Sequence, residues 1–200
     1  MSKINALCVY CGSSPGTDPA FVAAAQGFGK ILADNGVRLI YGGGSVGLMG
    51  ALAQAVLDHG GQVTGVIPEF LTKRERPQRL PQELVVTPDM HARKRTMFDR
   101  ADGFVALPGG LGTLEEVVEQ LTWAQLGRHK KPILIANVNG YWDPLLTLVD
   151  HMRAVKFVAS ALSVDFLVAD RIEDILPKMR EAARDVAEAE KAMALPAERL

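Results

Sequence analysis

Three glycines and two carboxylates lie close together in the run PGGLGTLEE at residues 108–116. An apolar segment leads into this run and an amphipathic segment follows it, which predicts a strand, a glycine-rich turn and the start of a helix. Backbone N–H groups in such a turn, together with a helix N-terminus, favour a bound phosphate. Glu115 and Glu116 would repel that phosphate if they pointed at it. We therefore expect these carboxylates to take part in chemistry beside a phosphate site.

A short basic segment precedes this run. Residues 89–95 read DMHARKR, and a helix that starts near Asp89 would end before the strand that leads into the glycine-rich turn. Its first turn would then lie near that turn, where Arg93 or Lys94 is placed to reach a phosphate or to orient a carboxylate. Considered alone, the segment is an exposed basic helix face. We assign no role to His91.

A second glycine-rich turn, GGGSVG at residues 42–47, matches the dinucleotide-binding fingerprint. Glu69 even falls near the spacing of a ribose-binding carboxylate. Against this interpretation, the fingerprint usually follows the first strand of a fold, and dinucleotide binding would leave residues 108–116 unexplained. The alternatives are a tight turn with close helix packing, or one wall of a mononucleotide pocket.

Short apolar strands alternate with helices along the chain. The predicted strands are 4–11, 37–41, 62–68, 84–87, 104–107, 132–138 and 166–169, and the predicted helices are 19–35, 48–59, 89–101, 113–126, 141–155 and 172–194. Residues 69–82 look like an exposed loop. This order predicts a single Rossmann-like, doubly wound α/β domain over residues 1–200, in which helices cover both faces of a mostly parallel sheet of six or seven strands. Residues 181–200 would be a polar C-terminal helix or tail.

Composition narrows the classes of partner. The chain has 200 residues, of which 48% are hydrophobic, so it can bury one substantial core. The net charge of −1 and the pI near 6.4 provide no basic field for nucleic acid or a membrane surface. The N-terminus runs into a strand without a secretory signal pattern, and no apolar stretch approaches the roughly 18 residues of a membrane span. We expect a cytoplasmic protein with a small-molecule ligand.

Cys8 and Cys11 have the spacing of a redox or metal-binding pair. Both fall on the first predicted strand, however, where side chains three positions apart point to opposite faces. Opposed thiols cannot form a disulfide with each other, and a zinc ion would lack further ligands. We expect two buried apolar cysteines.

Four ordered blocks of the sequence, at residues 11–14, 42–50, 90–94 and 108–116, resemble the LOG family of cytokinin riboside 5′-monophosphate phosphoribohydrolases, often labelled lysine decarboxylase-like. The resemblance runs from about residue 6 to 169 and weakens in the tail. It implies hydrolysis of the N-glycosidic bond of a nucleoside 5′-monophosphate, with release of the base and ribose 5-phosphate. It implies no metal or organic cofactor. Together with the apolar segment at 121–126, it favours a homodimer with the pocket near the interface.

The resemblance also implies site residues. Arg93 and Glu116 would be catalytic. The substrate-binding residues would be Ser13, Gly43, Gly44, Glu75, Met90, Lys94, Gly109, Gly110, Leu111, Gly112, Thr113, Glu115 and Thr122, with Glu75 in a loop that matches the family weakly. A nucleotide or molybdenum-cofactor carrier and an NAD(P)-dependent oxidoreductase remain alternatives. A decarboxylase lacks support, because no lysine stands in a recognisable pyridoxal-phosphate context.

Overall fold

The computed structural model describes residues 4–72, 81–158 and 166–194, and this part of the chain forms one sheet of seven strands. The strands are β1 (Ala6–Tyr10), β2 (Arg38–Tyr41), β3 (Val63–Pro68), β4 (Glu83–Thr87), β5 (Gly103–Ala106), β6 (Ile133–Ala136) and β7 (Leu167–Ala169). Their order is β4-β3-β2-β1-β5-β6-β7, and every neighbouring pair is parallel. The predicted Rossmann-like fold is confirmed.

The helices that cover the sheet are α1 (Pro19–Asp34), α2 (Gly47–Asp58), α3 (Met90–Arg100), α4 (Leu111–Gln125), α5 (Asp143–Ala154) and α6 (Ile175–Ala194). Three of their starts differ from the predicted ones by two or more residues. α4 begins at Leu111, inside the glycine-rich turn, because Gly112 adopts a helical conformation. α5 and α6 begin later than predicted, since short 3-10 turns at Val138–Gly140 and Ile172–Asp174 precede them.

Two apolar cores lie on opposite faces of the sheet, as the alternation of side chains along a strand requires. α1, α2 and α6 pack on one face and α3, α4 and α5 on the other. Cys11 belongs to the first core and Cys8 to the second, which confirms that the two side chains point apart. Burial raises the pKa of both thiols, so neither is a thiolate at neutral pH.

Side-chain caps mark the starts of α1 and α3. The Asp18 carboxylate accepts a hydrogen bond from Ala20 N at 2.8 Å, with Pro19 at the first helical position. Asp89 caps α3 by accepting from Ala92 N at 2.7 Å. These caps place the first turns of both helices at the carboxyl edge of the sheet.

Within the described residues, the predicted C-terminal tail forms the later part of α6, up to Ala194, and residues 195–200 lie outside the described part of the chain. The first half of this helix contributes to the core, since it buries Ile175, Leu176, Met179 and Ala183 against the sheet.

In the described part of the chain, no helix has the length and apolar character needed to cross a membrane.

The three glycine turns meet at the carboxyl edge, where the strand order reverses between β1 and β5. Gly12 N donates a hydrogen bond to Pro108 O at 3.0 Å, and Leu48 N donates to Gly12 O at 3.0 Å. A Cβ at Gly47, where φ is +61°, would lie 2.3 Å from the carbonyl carbon of Ser13. The prediction that these turns share one edge is confirmed, and ligands of doubly wound sheets bind at such an edge.

Candidate active site

The glycine-rich turn leads directly into α4. Gly110 is the N-cap residue and no side chain caps the helix, while the first turn of any α-helix leaves N–H groups without intrahelical partners. A Cβ added at Gly110 or at Gly112 would meet no atom within 4 Å, and neither residue has a positive φ. The fold itself therefore does not require glycine at these two positions. Bare backbone there suits a ligand that approaches closely.

Gly109 has a different role from its neighbours. A Cβ at this position would lie 2.2 Å from Thr113 Oγ1 and 2.8 Å from Gly12 N. Thr113 is buried, so its hydroxyl packs beneath the turn. Packing alone thus explains why residue 109 is a glycine.

A cavity of about 240 Å³ opens between the β1–α1 turn and the glycine-rich turn. The exposed Ser13 lies on its wall, and the rings of Phe21 and Tyr141 pack edge to face with centroids 5.3 Å apart. The cavity is lined by Gly12, Ser13, Ser14, Pro15, Gly16, Phe21, Leu48, Pro108, Gly109, Gly110 and Tyr141. Its backbone-rich wall suits an anionic ligand.

Arg93 projects from α3 into the ends of two strands. Its Nε donates to Val66 O at 3.1 Å and its Nη2 donates to Gly42 O at 3.2 Å. Its Nη1 lies 3.7 Å from the sulfur of Met90. Because two main-chain carbonyls hold it, the buried guanidinium has one orientation.

Glu116 lies on the buried face of α4, with Oε1 3.8 Å from Arg93 Nη1. Burial raises the pKa of the Glu116 carboxyl to about 7, although the Arg93 charge acts to lower it. At 3.8 Å the attraction does not offset the loss of hydration, so both protonation states are populated near neutral pH.

Lys94 is held between two carboxylates of α4. Its Nζ lies 2.5 Å from Glu115 Oε1 and 2.9 Å from Glu119 Oε1. Burial acts to lower the pKa of Lys94, but the hydrogen bonds to Glu115 and Glu119 outweigh it and raise the pKa above its usual value. The ammonium group therefore stays charged and joins α3 to α4.

Comparison with protein families matches residues 49–179 to the family described as "Possible lysine decarboxylase". The chain is 44% identical over 182 residues to "Probable cytokinin riboside 5'-monophosphate phosphoribohydrolase LOGL1" of Oryza sativa subsp. japonica, with 91% of this chain and 82% of that protein covered. It is 44% identical over 189 residues to "Cytokinin riboside 5'-monophosphate phosphoribohydrolase LOG7" of Arabidopsis thaliana, with 94% and 84% covered. The chain belongs to the LOG family.

Solved structures with the same fold as this LOG chain include "The structure of the molybdenum cofactor binding protein from the phototrophic bacterium Rippkaea orientalis". That structure has a TM-score of 0.68 and 22% identity, and the match covers 90% of this chain and 98% of the other. A molybdenum cofactor carrier protein from Chlamydomonas reinhardtii has a TM-score of 0.65, 20% identity and coverage of 91% and 99%. At this identity the likeness establishes the fold alone.

The structure brings most of the predicted LOG site residues to one edge of the sheet. Arg93, Lys94, Glu115 and Glu116 form one charged cluster, and Met90 contacts it through Arg93. Ser13, Gly43, Gly44 and residues 109–113 belong to the three turns at that edge. Glu75 lies outside the described residues.

Thr122 lies apart from this group. It is seven residues beyond Glu115 on α4, its hydroxyl donates to Val118 O at 2.8 Å, and it lines an apolar groove between α4 and α5. Within a single LOG chain, Thr122 is therefore not part of the cluster around Glu116.

Packing contacts within the chain explain why residues 42 and 43 of the second glycine-rich turn are glycines. A Cβ at Gly42 would lie 2.0 Å from Arg93 Nη2, and one at Gly43, where φ is +78°, would lie 3.0 Å from Ile67 Cβ. Glu69, the ribose-binding candidate, is exposed on a short 3-10 turn. These contacts favour the tight-turn interpretation over the dinucleotide one.

Three contributors were missed from the sequence. Glu119 had a detectable signal, because it follows Glu115 by four residues and so shares its helix face. The other two had no such signal. Gly42 accepts a hydrogen bond from Arg93, and Gly109 accepts one from Tyr141, and both contacts join segments that are distant in sequence.

In the described ranges, no group of three or more His, Cys, Asp or Glu side chains is placed to hold a metal ion.

Proposed function

We propose that this protein is a phosphoribohydrolase, which cleaves the N-glycosidic bond of a cytokinin riboside 5′-monophosphate or of AMP and releases the free base and ribose 5-phosphate. The observation that carries the proposal is the position of Glu116. This buried carboxylate faces Arg93 and follows, by one helical turn, a glycine-rich turn with the features of a phosphate site. LOG relatives named as phosphoribohydrolases support the same reaction.

The proposed reaction uses these groups in sequence. The N–H groups of residues 110–113 bind the 5′-phosphate, and this binding energy holds the ribose against the carboxylate. Cleavage of the bond to the purine nitrogen builds positive charge on the sugar ring, which ionised Glu116 stabilises. One water completes the hydrolysis, because its hydroxyl adds to C1′ and its proton is taken up by the departing base. Arg93, whose Nη1 lies 3.8 Å from Glu116 Oε1, orients the Glu116 side chain. A nucleoside lacks the phosphate and should react poorly.

The two ion pairs of Lys94 hold α3 and α4 together. Glu115, whose side chain is about half exposed, is the one carboxylate of the Lys94 pair that is open to a ligand; Glu119 is largely buried. We assign Glu115 to contact with the ribose hydroxyls and Glu119 to holding Lys94. The net charge of −1 supports a small-molecule substrate rather than nucleic acid or a membrane surface.

We further propose a homodimer that covers the apolar groove between α4 and α5. Val118 and Leu148, which both line this groove, are 44% and 49% exposed, and a groove lined by exposed apolar side chains is typical of an interaction surface. The groove has a volume of about 240 Å³ and is lined by Leu114, Val118, Leu121, Thr122, Gln125, Leu145, Leu148, Val149, Met152, Arg153, Val158 and Phe166. A two-fold pairing would bury this surface on both copies and place Thr122 at the interface.

The reaction is tested by incubating the protein with AMP, isopentenyladenosine monophosphate and the two matching nucleosides, and by measuring released base chromatographically. We expect base from at least one monophosphate, little from either nucleoside, and none from the Glu116→Gln variant, which keeps the shape of the side chain. Tight nucleotide binding without base from any of the four would instead indicate a carrier.

A further inference from the structure

The turn between β6 and α5 reaches the glycine-rich turn through one side chain. Tyr141 Oη donates a hydrogen bond to Gly109 O at 2.5 Å. The Tyr141 ring packs edge to face against Phe21 and against Trp142, with centroids 5.3 Å and 5.0 Å away. The ring contacts and the hydrogen bond together hold the Tyr141 hydroxyl in one position on the wall of the cavity.

The backbone that carries Tyr141 has an uncommon conformation. Asn139 has a φ of +49° and Gly140 a φ of +72°. Asn139 Nδ2 donates to Asp18 Oδ2 at 3.0 Å, and Trp142 N donates to Asn137 Oδ1 at 2.8 Å. A positive φ at a residue other than glycine persists only when its surroundings hold it there, so these contacts fix the turn against the β1–α1 turn.

The hydrogen bond to Gly109 has a consequence for the next amide. Gly109 C=O and Gly110 N–H belong to one trans peptide unit, so they point in opposite directions. A donor that holds the carbonyl therefore also sets the direction of the N–H. This peptide unit lies between two glycines, whose backbone has more conformational freedom than that of other residues, so a contact that holds its carbonyl matters more here.

We propose that Tyr141 is a positioning residue for the phosphate site. Its hydroxyl holds the Gly109–Gly110 peptide in the orientation that presents the Gly110 N–H to the phosphate of the ligand. This inference rests on the proposed function only in taking a sugar phosphate as the ligand. It assigns Tyr141 no contact with the bond that breaks.

The test compares Tyr141→Phe, which removes only the hydroxyl, with the matched variant Asn139→Gly. The latter accepts the positive φ and removes the contact to Asp18, while the Trp142–Asn137 hydrogen bond and the ring contacts of Tyr141 still hold the turn. Calorimetric titration with ribose 5-phosphate should show a Kd roughly 3- to 10-fold weaker for Tyr141→Phe, the usual effect of one hydrogen bond. Asn139→Gly should stay within about two-fold of the parent, a change below the range that one lost hydrogen bond produces.

Steady-state kinetics separate positioning from a general structural effect. For Tyr141→Phe, the KM of the monophosphate should rise by the same factor as the Kd, while kcat and the slow turnover of the nucleoside stay unchanged. Unchanged affinity for ribose 5-phosphate would overturn the inference, and so would an equal loss in Asn139→Gly or for the nucleoside. A parent protein that binds ribose 5-phosphate but releases no base would overturn the proposed reaction while leaving this comparison intact. A parent that does not bind ribose 5-phosphate would overturn the inference as well.

Discussion

The guanidinium of Arg93 occupies the space that a side chain at residue 42 would need. Nη2 donates to Gly42 O at 3.2 Å, and a Cβ on Gly42 would lie 2.0 Å from that same nitrogen. The absence of a side chain at residue 42 and the orientation of Arg93 are thus one feature of the site. The first glycine of the 42–47 turn serves an arginine that stands fifty-one residues later in the chain.

Replacement of Gly42 by alanine should therefore act through Arg93. The new methyl group displaces the guanidinium from Glu116, and kcat/KM should fall by roughly 10²-fold, as small displacements of catalytic groups can cause. The protein should remain folded, because a long side chain can move aside. Steady-state kinetics and thermal unfolding measure both effects.

A double-mutant cycle provides the control for this prediction. If alanine at residue 42 harms only the placement of Arg93, it should have little further effect in an Arg93→Ala background. Additive losses in kcat/KM would show that Gly42 contributes to the site independently of the arginine.

The raised pKa of Glu116 makes folding stability depend on pH. The pKa is near 4.5 in the unfolded chain and about 7 in the folded protein, mainly through burial. Between these values the folded state binds more protons, so its stability falls as the pH rises through this window and then levels off. Glu116→Gln should lose this dependence. Its melting temperature relative to the parent should be higher at pH 8 than at pH 5, and an equal difference at both values would contradict a raised pKa.

Activity should follow the opposite direction, since the ionised carboxylate is the form that stabilises positive charge. We expect kcat/KM to rise with pH and to reach a plateau above about 7. The second ionisation of the substrate phosphate, near pH 6, also contributes to such a profile. The weak nucleoside substrate has no phosphate, so its profile isolates Glu116. A flat nucleoside profile from pH 6 to 8 would exclude Glu116 as the titrating group.

Gly112→Ala should separate stability from function. The fold has space for the methyl group, and alanine is more stable than glycine within a helix by about 0.5–1 kcal/mol, so the melting temperature should rise slightly. The same methyl group would enter the space assigned to the phosphate, and the KM of the monophosphate should increase several-fold.

Gly109→Ala is the matched comparison for Gly112→Ala. Its Cβ would collide with Thr113 Oγ1 and with Gly12 N. The free energy of unfolding should therefore fall by about 1–3 kcal/mol, and the melting temperature should fall with it. If Gly112→Ala bound the monophosphate as tightly as the parent does, the phosphate would not lie against residue 112.

The proposed dimer predicts that Val118→Asp yields a monomer. A charge at the centre of the apolar groove would be buried without a partner on association. Val86→Asp is the matched control, because Val86 is comparably exposed, at 53%, but lies on β4 at the far edge of the sheet. Light scattering coupled to size exclusion should show dimers for the parent and Val86→Asp. Identical masses for all three proteins would refute an interface at this groove.

Local patterns were enough to predict the fold and the position of the site. Alternating apolar strands and helices predicted the parallel sheet, and the predicted starts of α1 and α3 lie within one residue of the observed ones. These signals are readable because hydrophobic periodicity and capping depend on residues within a few positions of one another. The same edge explains why Arg93 and Glu116 were correctly expected to lie close together.

The chemical state of the site depended on contacts that no local pattern contains. Whether Glu116 is ionised follows from how much water the fold removes from it, and burial here outweighs an arginine 3.8 Å away. Three hydrogen bonds of the site join segments far apart in the chain: Lys94 to Glu115, Arg93 to Gly42, and Tyr141 to Gly109. Burial and contact geometry both depend on neighbours that are distant in sequence. Residue types and spacing therefore predict where the candidate site lies. The protonation of Glu116 and the orientation of Arg93 are decided only when the chain is folded.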